Sequence, residues 1–222
     1  MVAYEAQAIW TYPNKRGKQV AQQEQDILRK RAQLTGPDYI AYVPKSLDPM
    51  AHDRTNEHFL VFDGPDASMM AIWTQAWRKP EKGNINHVVF SRSDDEGMTW
   101  TPPKRIAGPE DCDDPVHMAS WAFPMVSASG RIYVVYNQNQ GVKGWILFHT
   151  GTMSGIYSDD NGATWSEPQD IPMPKSPYDD PEGRAPGEWI VWQKPMRDLS
   201  GGYFLGYSHW PVSYTHLRAH ET

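Results

Sequence analysis

Apolar residues gather in short β-type runs between polar turn segments along much of this chain, the pattern of strands joined by tight turns. Ile85 to Phe90, Gly155 to Tyr157 and Gly202 to Trp210 are runs of this kind, each bounded by glycine, proline or acidic clusters. Three longer stretches share one plan of strand, tight turn and strand: HFLVFDGPDASMMAIW at 58–73, WAFPMVSASGRIYVVY at 121–136 and WQKPMRDLSGGYFLGY at 192–207. The last two align without gaps, and the first has a slightly longer turn. One segment reads differently. Lys18 to Leu34 is rich in Gln, Arg, Lys and Glu with Ile27 and Leu28 as its apolar positions, and Gly36-Pro37 closes it, which predicts a surface helix. Its role is packing against the rim of the β-domain or contact with a partner.

A second repeat fixes the order of these hairpins. SRSDDEGMTWTPPKRI at 91–106 recurs as IYSDDNGATWSEPQDI at 156–171, in register over sixteen positions. Ser93, Asp95, Gly97, Thr99 and Trp100 return as Ser158, Asp160, Gly162, Thr164 and Trp165. Each copy sits between two short strands, so it predicts a turn in which glycine supplies a positive φ. The Asp and Ser side chains hold nearby backbone N–H groups, and the Trp anchors the turn below. Hairpin, third strand, turn and fourth strand together make a unit of roughly 65 to 71 residues. That is the size of a four-stranded propeller blade, and the chain holds two such units and the start of a third. The expected fold class is all-β, a β-propeller of four-stranded blades.

The duplicated SxDxGxTW pattern is similar to the Asp-box, and over residues 37–211 the chain resembles the sialidase (neuraminidase) superfamily of BNR-repeat propellers. The resemblance implies a six-bladed ring, of which about two and a half blades are expected here, and gives the Asp-box residues a structural role. It implies an exo-glycosidase that removes a terminal sugar, sialic acid by default, from a glycan. The expected organisation is 1–36 as an N-terminal extension with a helix, 37–211 as a partial propeller, and 212–222 as a non-native tail. VSYTHLRAHET resembles read-through of a sequencing adapter, which points to a metagenomic library, and a chain cut in mid-domain is expected to be inactive by itself. Sialidases use three arginines to clamp the substrate carboxylate, a Tyr–Glu pair as nucleophile and an Asp as acid/base. The first arginine belongs to an Arg-Ile-Pro motif that falls here on Glu57, His58 and Phe59. A carboxylate therefore stands where a cation is expected, and it repels an anionic sugar. The acid/base position falls on Glu81 in RKPEKGN, a residue equally readable as a solvated loop charge. The remaining family residues would lie beyond Pro211.

Composition narrows the alternatives. Among 222 residues, 27 acidic side chains against 21 Lys and Arg leave a net charge of −6 with no basic run, so a nucleic-acid partner is not expected. A single cysteine, Cys112, excludes an internal disulfide, and without CxxC or HExxH spacing no metal or cofactor is expected. No apolar run is long enough to span a bilayer. The first thirty residues lack a signal-peptide core, which points to the cytoplasm, whereas a polysaccharide substrate points to export. The expected partner is a glycan or oligosaccharide. Oligomeric state is not legible.

A propeller binds ligands at its central funnel, where inner strands begin and blades are joined. That selects Asn56 to His58, Arg78 to Glu81, Asp111 to His117 and Tyr178 to Arg184. Glu57 and His58 could hydrogen-bond a sugar or act as general acid and base, or serve as a local strand cap. Arg54 and Arg78 lie near the position left without an arginine. His117 stands beside Asp113 and Asp114 in a cluster readable as a calcium site or as a solvated turn. His149 is a further candidate near the funnel. Trp77, Trp121, Trp145 and Trp192 can stack on sugar rings or simply fill the core. Three functions follow: a sialidase-like exo-glycosidase; a glycosidase or polysaccharide lyase acting on another sugar; and a non-catalytic glycan-binding propeller.

Overall fold

The computed structural model describes residues 18–45, 53, 55–79, 83–111, 114, 116–140, 151–177, 179, 187–191 and 193–210. The tail at 212–222 and Arg54, Glu81, Asp113, Trp145, His149 and Trp192 lie outside these residues. The chain divides into two compact units, residues 1–39 and 40–222. In the first, α1 (Lys18–Thr35) forms where the Gln- and Lys-rich segment predicts it. It ends as the Gly36 N–H donates to the Ala32 carbonyl at 2.9 Å and Pro37 bars a further turn. Ile27, Leu28 and Leu34 are exposed. No helix among the described residues is long and apolar enough to cross a membrane.

The second unit is built of antiparallel sheets. Strands β1 (Thr55–Asp63), β2 (Met69–Lys79), β3 (Gly83–Ser93) and β4 (Lys104–Ala107) pair in sequence order as one four-stranded meander. A second meander repeats the order with β5 (Ala119–Val126), β6 (Ile132–Asn139), β7 (Gly151–Ser158) and β8 (Gln169–Asp170). A third begins with β9 (Glu188–Val191), β10 (Met196–Arg197), β11 (Tyr203–Phe204) and β12 (Tyr207–Trp210), in which β10 pairs β11 and β9 pairs β12. Two complete blades and the opening hairpin of a third form the fold, in the order the repeats predict.

Burial follows from stacking blade on blade. Met70, Ile72, Val88 and Phe90 of the first sheet meet Ile132, Val134, Tyr136 and Ile156 of the second in one core. Phe123, Val135 and Met153 on the opposite face of the second sheet meet Trp189 and Val191 of the third. Because central strands are covered on both faces, β3 is buried almost continuously from Ile85 to Ser91, whereas the outer strand β4 is mostly exposed. At roughly 1.5–3 kcal/mol per fully buried large apolar side chain, these faces outweigh the weak local preferences of short strands. Leu60 touches both cores, as expected for a first strand close to the axis.

The two SxDxGxTW turns, between β3 and β4 and between β7 and β8, superpose bond for bond. Ser93 Oγ accepts from the Gly97 N–H at 2.8 Å, and Ser158 Oγ from the Gly162 N–H at 2.9 Å. Asp95 and Asp160 each accept from the backbone N–H of Thr99 or Thr164 at 2.8 Å and from its hydroxyl at 2.6 and 2.5 Å. Those bonds hold the Asp160 carboxyl down at about 2. Each Trp Nε1–H closes the turn on the glycine carbonyl, at 3.0 Å for Trp100 and 3.1 Å for Trp165. Residues Glu96–Gly97 and Asn161–Gly162 all have positive φ. The second turn also locks sheet to sheet: Trp165 meets Phe90 edge-on at 5.4 Å, and Lys104 Nζ donates to the Ala163 carbonyl at 2.6 Å.

Candidate functional site

Strand direction separates bracing from chemistry. β3 and β7 run away from the segments that join one sheet to the next, so the two braced turns lie at one end and the strand entrances at the other. At the entrance end, the first strand of each complete sheet is bulged. In β1 the register shifts between Glu57 and Leu60, and in β5 between Ser120 and Phe123. The bulges hold His58 at φ 56° and Trp121 at φ 55°, a left-handed conformation uncommon for such side chains.

The bulges are tied together. Glu57 pairs with Thr74 across β1 and β2, and Thr74 Oγ1 accepts from the Trp121 N–H at 2.9 Å. Asn86 Nδ2, one strand further out on β3, donates to Ser120 Oγ at 2.9 Å. Glu57, His58 and Trp121 therefore come together where the first two sheets meet. Their environments differ. Glu57 is exposed and Trp121 half-buried. The His58 ring is half-buried edge-on to Phe123, with centroids 4.6 Å apart, and its Nε2 is buried without a partner among the described residues. Burial lowers the pKa of His58, so its neutral form is favoured. The imidazole works as an inter-sheet wedge, and the carboxylate alone faces solvent.

Arg78 belongs to strand, not to the loop expected from RKPEKGN, because β2 and β3 pair out to Lys79 and Gly83. It is exposed at the entrance end. Beside it, Trp77 lies over the buried His87 with rings 4.2 Å apart. Burial pushes His87 down to about 4. His117 is 70% exposed in the turn before β5, with Nδ1 2.5 Å from Asp114 Oδ2. Burial alone would raise the Asp114 carboxyl, but the bonds from His117 and the Val116 N–H leave it lowered. His117 and Asp114 line a cleft of about 600 Å³ with Glu110, Gln138 and Asp170. Among the described residues no three His, Cys, Asp or Glu side chains are placed to hold a metal.

Besides Asn56, which the sequence selects, several organising residues carry no local sequence signal. Asn56 Oδ1 accepts from Trp73 Nε1 at 2.8 Å and from Gln75 Nε2 at 3.0 Å, which sets the entrance of β1. Asn137, the counterpart of Thr74 in the second sheet, donates through Nδ2 to the Trp189 carbonyl at 2.8 Å. Gly151 has to be glycine, because a Cβ there would meet the Asn137 amide at 2.1 Å. In the third hairpin, His209 Nε2 lies 2.9 Å from Asp179 Oδ1, and the His209 ring is stacked on Trp189 at 4.3 Å. Asp179 falls inside the segment Tyr178 to Arg184, but His209 stands 30 residues further on. Only the repeat register could have flagged it.

Residues 68–217 match the family of BNR repeat-like domains. The chain belongs to that family. This BNR repeat-like chain matches no curated protein. Among solved structures it is similar to the Hadza microbial sialidase Hz136, at 21% identity and a TM-score of 0.46 over 54% of this chain and 26% of that one. It is similar to a protein of unknown function from Dyadobacter fermentans DSM 18053, at 17% identity and a TM-score of 0.45 over 66% of this chain and 44% of that one. It is also similar to Zg3597, a family 117 glycoside hydrolase produced by Zobellia galactanivorans, at 13% identity and a TM-score of 0.48 over 79% and 58%. The BNR repeat-like chain thus spans between about a quarter and three-fifths of these relatives.

Proposed function

We propose that this protein is an exo-glycosidase of the sialidase-like kind, removing a terminal sugar from a glycan at the entrance end of its sheets. One observation carries the reading: an exposed carboxylate, Glu57, and a half-buried aromatic, Trp121, are brought to one place by the bulges of neighbouring sheets and linked through Thr74. A carboxylate that can accept from sugar hydroxyls, or move a proton, on a strand whose neighbour Thr74 bonds the backbone of a tryptophan suits a pyranose ring. Membership of the BNR repeat-like family supports the reading. The preferred sugar is uncharged. Glu57 takes the place of the first carboxylate-binding arginine that the sialidase resemblance implies, and opposed carboxylates repel. Arg78, exposed four residues further along β2 from Thr74, is a hydroxyl donor in this reading.

The test is hydrolysis by the protein produced from its gene, on fluorogenic aryl glycosides that include a sialoside and several neutral sugars. The expected result is release from a neutral sugar at least tenfold faster than from the sialoside. Preference for the sialoside would restore sialic acid as substrate. No release from any substrate, with saturable sugar binding by calorimetry, would make this a glycan-binding propeller instead.

A further inference from the structure

We infer that His209 and Asp179 form a proton-transferring dyad at the entrance end of the third hairpin, a placement that rests on the glycosidase reading above. The argument begins with the repeat. Continuing the gapless register two residues beyond Trp73, Tyr136 and Tyr207 gives Gln75, Gln138 and His209. All three side chains reach the segment that enters their own sheet. Gln75 Nε2 donates to Asn56 Oδ1 at 3.0 Å, Gln138 Nε2 donates to the Met118 carbonyl at 3.2 Å, and His209 Nε2 lies 2.9 Å from Asp179 Oδ1. An amide performs this tie twice. The fold therefore does not need a titratable residue there, yet the third copy supplies an imidazole with its own carboxylate.

The surroundings are built to hold that pair. Asp179 Oδ2 accepts from the Ser176 N–H at 2.8 Å, which fixes the carboxylate. Trp189 stacks on the His209 ring with planes 24° apart and fixes the imidazole. A Cβ on Gly187 would meet Asp179 Oδ1, Trp189 Nε1 and His209 Nε2 at 3.0, 3.0 and 3.1 Å, so the glycine leaves their junction open. The His209 side chain is 11% exposed and that of Asp179 30%. Among the described residues Asp179 Oδ1 is buried without an aligned hydrogen bond, so the contact with Nε2 is one of distance. Catalytic pairs commonly tighten on substrate binding. Asp179 and Trp189 line a cleft of about 290 Å³ together with Thr152, Asp170 and Lys175. Asp170 and Lys175 are the other charged groups lining it, and their charges are opposite.

A carboxylate on one imidazole nitrogen selects the tautomer and leaves the other nitrogen to exchange a proton. For a glycoside, the imidazolium N–H bond breaks, the glycosidic oxygen takes the proton, and the electron pair of the breaking C–O bond goes to that oxygen. The water that completes hydrolysis returns a proton to the ring.

Three preparations of the protein from its gene decide the matter: wild type, His209→Gln and Asp179→Asn. Gln stands at this position in two sheets, so H209Q is expected to melt within about 2 °C of wild type. It is expected to lose at least 100-fold in kcat/KM and the alkaline limb of its pH profile. Long-range ¹H–¹⁵N spectra should place the neutral-ring proton of wild-type His209 on Nε2 and show mixed tautomers in D179N. H209Q activity within threefold of wild type with an unchanged profile overturns the inference, as does a tautomer that D179N leaves unmoved. Should wild type hydrolyse nothing, the glycosidase reading falls, and the tautomer shift alone upholds or overturns the dyad.

Discussion

His58 and Trp121 are one position in two successive sheets: each is the left-handed residue of a first-strand bulge, at φ 56° and 55°, and the Trp121 N–H reaches back to Thr74 beside Glu57. The bulge, not the identity of the side chain, is what repeats. It breaks the strand's alternation at the entrance, sending His58 onto Phe123 of the next sheet while Glu57 stays in solvent.

Replacing His58 by residues of different backbone tolerance tests this strain. A β-branched residue in the left-handed region costs roughly 1–2 kcal/mol more than one that tolerates it. His58→Val is therefore expected to be less stable than His58→Asn by about that amount in urea titrations, although valine is the more apolar replacement. Equal stabilities would mean that the bulge relaxes at no cost.

Much of this architecture was legible because the sequence repeats itself. The sixteen-residue match placed both braced turns, and the hairpin register predicts that residues 58 and 121 share a role. What was not legible depends on pairing across distance or on strand parity. Glu57 and His58 look like a pair when read along the chain, but the bulge separates their environments. RKPEKGN reads as a loop from Arg78 onward, yet pairing of β2 with β3 keeps Arg78 in strand. Asn86 meets Ser120, and Asn137 meets Trp189, through contacts that no local motif announces.

Gly162 sets the spacing between the first two sheets. Its φ is 84°, and a Cβ there would lie 2.3 Å from the Phe90 ring. Gly162→Ala combines backbone strain with overpacking and is expected to cost about 2–4 kcal/mol. The two residues share one contact, so their effects should not add. In a double-mutant cycle, Phe90→Ala is expected to absorb at least 1 kcal/mol of the Gly162→Ala penalty. Strict additivity would show that the steric contact is not what matters.

His87 gives the fold a dependence on acid. Burial, reinforced by the nearby Arg105 charge, outweighs its bond to the Ile85 backbone and brings it from 6.5 to about 4. The ring is 3% exposed. The folded state therefore binds its proton later than the unfolded chain as pH falls. Stability from this group is fully present above pH 6.5 and is lost progressively between 6.5 and about 4. The loss amounts to at most ~3 kcal/mol. His87→Phe keeps a ring over Trp77 and removes the proton site, so unfolding free energies measured across that range should flatten. A slope unchanged from wild type would assign the acid sensitivity to other groups.

The last prediction concerns charge at the entrance. If Glu57 excludes anionic sugars, its removal and its reversal should act in sequence. Glu57→Gln abolishes repulsion and adds no attraction, so sialoside affinity should rise modestly while neutral sugars lose one charged acceptor. Glu57→Arg adds a planar fork able to take a carboxylate in two parallel bonds. Its effect on a sialoside Kd should exceed that of Glu57→Gln, about tenfold or ~1.4 kcal/mol relative to wild type. Glu57 is exposed and its Cα faces Thr74 across an intact pairing, so neither substitution should disturb the bulge. Calorimetric titration of wild type and both variants with one sialoside and one neutral glycoside separates the effects. Loss of neutral-sugar binding in both variants, together with a sialoside gain that is larger in Glu57→Arg than in Glu57→Gln, assigns Glu57 to the sugar. Unchanged binding of both ligands in both variants would place the sugar elsewhere on the entrance face.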